Sequence, residues 1–106
     1  MKTIEIDEDV LALTPKEFKD LPEGNYKLTK TENTRPNGMV YAGDSVIGPA
    51  EVVNVIGLPG IKVYNHLGPT RDLTYLRTSP IVEVLDSTDT TITFRTEGGV
   101  YKLERA

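Results

Sequence analysis

The chain has no cysteine and no tryptophan, and only one histidine and two phenylalanines among its 106 residues. Without cysteine, neither a disulfide framework nor a thiolate zinc site is available, and the composition suits a reducing compartment. A histidine-based metal site would need carboxylates for its other ligands, because His66 is the sole imidazole. No apolar run approaches the roughly 18 residues of a membrane span. Met1-Lys2 leads into alternating and acidic residues rather than a signal-peptide core. No Asn-x-Ser/Thr sequon occurs. No serine sits in a nucleophile elbow, and Gly57-Leu58-Pro59-Gly60 is not a phosphate loop. These absences predict a cytoplasmic protein without a cofactor, a metal site or a catalytic constellation.

Charge is modest and unevenly placed. The net charge is −4, and residues 1–24 hold seven acids against three lysines, so the remainder is neutral. A neutral body has no field to attract a phosphate backbone, which disfavours nucleic acid as a partner. The length suits one domain, 1–106, able to enclose a single core.

What is present is mostly β spelling. In the last quarter, Ile92 and Phe94 alternate with Thr91, Thr93 and Arg95, and Tyr101 and Leu103 alternate with Lys102 and Glu104. A period of two lays one side of each strand on a core. Asn25–Thr31 also alternates, and Asn37-Gly38 predicts a turn before Met39–Tyr41. Ser45–Ile47 reads as a strand closed by Gly48-Pro49. Glu51–Ile56 and Ile61–Tyr64 read as a hairpin turning on Leu58-Pro59-Gly60. Lys2–Ile6 has the spelling of a short edge strand, followed by an acidic turn. Thr14-Pro15-x-Glu17 is a capping box that predicts the one helix, 15–21, with Phe18 and Leu21 facing inward. The fold class is therefore all-β: a small antiparallel barrel or roll, SH3-like or OB-like in size, with an acidic N-terminal segment (1–24) and a β body (25–104). The predicted core comprises Phe18, Leu21, Tyr26, Leu28, Val53, Val55, Ile61, Val63, Leu76, Val82, Val84, Ile92, Phe94, Tyr101 and Leu103.

Thr78-Ser79-Pro80-Ile81-Val82, then Phe94-Arg95-Thr96 and Val100-Tyr101-Lys102-Leu103, resembles the closing strands of small uncharacterised proteins from bacteria and their phages. The likeness covers a quarter of the chain. It implies a β-roll and a phage origin, and carries no activity.

Candidate chemistry concentrates in the segment after Tyr64. His66, Thr70, Arg71 and Arg77 form a ligand-binding candidate, since arginine can hold an anion and a carboxylate such as Asp72 can orient histidine. Asp86-Ser87-Thr88-Asp89 has the oxygens to hold calcium, but the same residues make an ordinary hairpin turn, which is the preferred reading. The five tyrosines all lie in predicted strands. They are read as core or rim, with base stacking beside Lys27, Lys62, Arg77 or Lys102 as the alternative. Arg35, at a loop tip, is read as a solubility residue. The leading expectation is a non-enzymatic interaction module that binds another protein or itself. Binding of a small anion or nucleotide, with hydrolysis attached, ranks second, and single-stranded nucleic acid third.

Overall fold

A computed structural model describes residues 8–19, 22–33, 45–66 and 74–106. The expected strands at Lys2–Ile6 and Met39–Tyr41, the Asn37-Gly38 turn, Arg35, Leu21, Thr70 and Arg71 lie outside these residues.

Among the described residues two short helices precede the sheet, where the sequence predicts one. α1 spans Glu8–Leu13 and α2 spans Lys16–Lys19. The acids read as a turn, Glu8 and Asp9, instead form the first turn of α1, where they face the positive end of the helix. Thr14 serves α1 rather than α2: its hydroxyl donates to Val10 O at 2.9 Å from a buried position.

Among the described residues seven antiparallel strands follow: β1 Asn25–Asn33, β2 Ser45–Val55, β3 Leu58–Tyr64, β4 Tyr75–Arg77, β5 Ile81–Ser87, β6 Thr91–Thr96 and β7 Gly99–Arg105. They make one sheet in the order β4-β3-β2-β1-β7-β6-β5. The fold is thus mainly β, as expected, but the sheet is not closed into a barrel. β4 and β5 are its two edges.

The sheet curls because β2 serves two partners in turn. Ser45–Pro49 pairs with β1, and Ala50–Val55 pairs with β3. Gly48-Pro49, expected to end a strand, instead marks this corner. A Cβ at Gly48 would lie 1.9 Å from Tyr64 O, so only glycine lets the chain leaving β3 cross β2 there. The same crossing is fastened by the backbone N–H of His66, which donates to Ile47 O at 3.0 Å.

The β2–β3 turn also differs from expectation. Its central residues are Ile56 and Gly57, with φ of 53° and 80°, the positive pair of a type I′ turn. Pro59 and Gly60 lie within β3, opposite Asn54 and Val53. In a two-residue hairpin the Val55/Leu58 pair exchanges the hydrogen bonds, so the nitrogen at position 59 points away from β2. β4 reaches only Lys62–Tyr64 on that other side, so the N–H that proline lacks would have had no strand partner.

The core lies inside the curl. Phe18, Tyr26, Leu28, Ile61, Val63, Leu76, Ile92, Phe94, Tyr101 and Leu103 form it as expected, joined by Val46, Ala50 and Val52, with Ile81 and Val84 at its margin. Val55 is buried apart from this cluster, its Cγ2 lying 2.6 Å from where a Cβ on Gly60 would be. Two expectations fail. Val53 is half-buried, because Val52 is the inward residue of that stretch of β2. Val82 is 52% exposed, because β5 carries two irregularities, between Ile81 and Glu83 and between Val84 and Asp86. Each bulge reverses the alternation, so Ile81 and Val84, three apart, face in together.

Candidate functional site

The outward side of β2, β3 and β4 gathers the chain's most chemically distinctive side chains. Alternation sends Ile61, Val63 and Leu76 inward and therefore turns Lys62, Tyr64, Tyr75 and Arg77 outward. Register aligns them. Glu51, Lys62 and Arg77 stand opposite one another across three strands, and Tyr64 stands opposite Tyr75.

Lys62 is held between the two tyrosines, its Nζ 4.7 Å from the Tyr64 ring centre and 4.4 Å from that of Tyr75. Each cation–π contact contributes about 0.5–1 kcal/mol at an exposed site. Tyr64 is fixed from its other end, where its hydroxyl donates to Glu51 Oε1 at 2.8 Å. Tyr75, by contrast, is 44% exposed. Among the described residues neither Lys62 nor Arg77 has a carboxylate within ion-pair distance. The arrangement is a rigid aromatic–cation cluster with an open rim.

His66 is exposed just beyond β3, its ring 6.2 Å from that of Tyr64 and tilted 40°. Arg77 borders the other end of the tyrosine pair, opposite Lys62. The tyrosines thus separate the two described candidates. Lys62 to His66 is four residues, about 13 Å along an extended chain. The sequence names Lys62 and Arg77 together beside the tyrosines, and His66 with Arg77 in a separate ligand candidate, without showing that Lys62, Tyr64, Tyr75 and Arg77 form one cluster. The parity of Lys62, Tyr64, Tyr75 and Arg77 was the available signal. Of the other tyrosines, Tyr26 and Tyr101 are buried, and Tyr41 lies outside the described residues.

Elsewhere the surface offers less. A cleft of about 280 Å³ lies between Pro22–Tyr26 and Pro49–Ala50. The Tyr26 hydroxyl there is already given to Pro22 O, and among the described residues the one charged lining side chain is Glu23. The Asp86–Asp89 stretch is a turn: the Thr88 hydroxyl accepts the N–H groups of Thr90 and Thr91. Among the described residues no three His, Asp or Glu side chains cluster as metal ligands. No described helix is long and apolar enough to cross a membrane.

Compared with known proteins, the chain matches no family model, no curated protein and no solved structure.

Proposed function

We propose that the chain is a small cytoplasmic interaction module on an open β-barrel of SH3-like or OB-like size, and that it binds protein through the outward side of β2, β3 and β4. One observation carries this reading: Lys62 is clamped between Tyr64 and Tyr75 beside the exposed Arg77. Tyrosine and arginine dominate the energetically important positions of protein interfaces. A cluster already fixed by cation–π contacts and the Glu51 hydrogen bond loses little side-chain entropy when a partner arrives.

Two other readings fit the same residues less well. Base stacking needs open ring faces, and Lys62 lies over both rings. A compact anion site needs converging donors, and the tyrosines hold His66 and Arg77 apart.

The test is a photo-crosslinking residue placed at Arg77, with Lys27 on the outward side of central β1 as control, in cells that naturally express the chain. Adducts with protein at position 77 and none at position 27 are expected. Adducts with nucleic acid, or none at position 77, would overturn the proposal.

A further inference from the structure

We propose that the partner of this surface is a second copy of the chain, whose β5 docks side-on against the β2–β3 hairpin. The inference rests on the binding reading above. It starts from two apolar exposures that the fold does not explain. Ile56 is 92% exposed and holds a positive φ, a conformation that β-branched residues avoid. Leu58 beside it is also exposed. The second exposure is on β5, where Glu83 and Asp86 pair with Arg95 and Thr93. The supernumerary bulge residues are Val82 and Leu85, each about half exposed.

The two surfaces are complementary in kind and in order along the strand. The hairpin presents apolar Ile56 and Leu58 and, four residues along β3 from Leu58, the cation Lys62 with Arg77 opposite it. The β5 strip presents apolar Val82 and, four residues along, the carboxylate of Asp86. The hairpin interval spans about 13 Å of strand, whereas the bulges shorten β5, whose Ile81–Asp86 stands opposite only Thr96–Thr93, about 10 Å, so the long Arg77 side chain reaches back along the strip to Asp86. Glu83 is already held by Arg95 at 2.8 Å, whereas Asp86 has no ion pair among the described residues. Docked in this orientation, Val82 and Leu85 meet Ile56 and Leu58, and Asp86 meets Arg77 and Lys62. The bulges deform the edge of β5, so contact is through side chains and not by extending the ladder. Because the two patches differ, the interface is heterologous, and copies repeat head to tail into a ring or a chain.

Sedimentation velocity on the full chain, from micromolar to millimolar at low and high salt, tests this with three variants: Ile56→Asn, Arg77→Asp and Asp86→Arg. Thermal melts establish that each is folded. Concentration-dependent association that weakens with salt is expected, and each variant should raise the dissociation constant by about tenfold or more. An equimolar mixture of Arg77→Asp with Asp86→Arg should associate again, because one junction keeps the natural pair and the other is charge-swapped. A monomer throughout the range at low salt overturns the proposal, as does an oligomer that none of the variants alters. Either result leaves the binding reading to the crosslinker at Arg77: an adduct with a different protein upholds it, and no adduct removes both.

Discussion

The ring of Phe18 stands edge-on to that of Phe94, with centroids 5.0 Å apart and planes at 85°. Phe94 in turn stacks on Tyr101 at 5.8 Å. Helix α2 is four residues long, far too short to persist alone. Its one buried side chain therefore ties α2 to the sheet, while α1 lies against β3 with its own buried Val10. Phe18→Ala should lower stability by about 3–5 kcal/mol and Phe18→Leu by clearly less, read from urea denaturation followed by circular dichroism. A Phe18→Ala protein as stable as the wild type would mean that α2 is not part of the core.

Ile56→Asn should stabilise the protein. An L-residue in the left-handed region costs about 1–2 kcal/mol, and at 92% exposure Ile56 recovers little by burial. Asparagine before glycine is the favoured type I′ pair. The turn is already braced by Asn54, whose Oδ1 accepts the Gly57 N–H at 2.7 Å. A gain of about 1 kcal/mol is expected, and a loss of similar size would show that Ile56 contributes packing within the monomer.

The contrast between β6 and β5 shows which parts of the fold the residues announce. Thr91–Thr96 alternates and pairs in continuous register with β7, so Ile92 and Phe94 are inward as period two requires. Ile81–Ser87 looks just as strand-like, but its bulges put Val82 in solvent. A bulge has no letter of its own. The Ile56-Gly57 turn was hidden for a different reason: Pro59-Gly60 carries a stronger local turn signal, and isoleucine is a poor candidate for positive φ. At the candidate site, His66 and Arg77 were named from their chemistry. Their separation by Tyr64 and Tyr75 depends on β3–β4 pairing across a ten-residue gap, which local patterns do not encode.

Thr78→Val should cost about 1–3 kcal/mol, although the two side chains have nearly the same shape. The buried Thr78 hydroxyl accepts the Ile61 N–H at 3.0 Å, and the Thr78 N–H donates to Ile61 O at 2.9 Å. Thr78 thereby continues the β3–β4 ladder one step past Arg77, using a side chain in place of a carbonyl. Valine keeps the packing and leaves the Ile61 N–H without its acceptor. Thr78→Ser, which restores the acceptor but opens a methyl-sized gap, should be milder if the hydrogen bond is the larger contribution. The two midpoints in urea decide it, and equal losses would assign the effect to packing.

Stability should decline in alkali through the buried tyrosines. Burial pushes the Tyr101 phenol from the ordinary 10.0 up to about 12. Tyr26 is also raised, the effect of burial outweighing the opposing charge of Arg105. An unfolded chain releases these protons near pH 10, whereas the folded chain retains that of Tyr101 until about pH 12. Between those values the folded state binds more protons, so unfolding becomes easier as pH rises, and below about pH 10 the contribution is fully present. For Tyr101 the loss across the window is roughly 2–3 kcal/mol. Phenylalanine cannot ionise, so urea midpoints of Tyr101→Phe should fall less steeply than those of the wild type over this range. Parallel slopes for the two proteins would show that the Tyr101 hydroxyl is solvated in the fold.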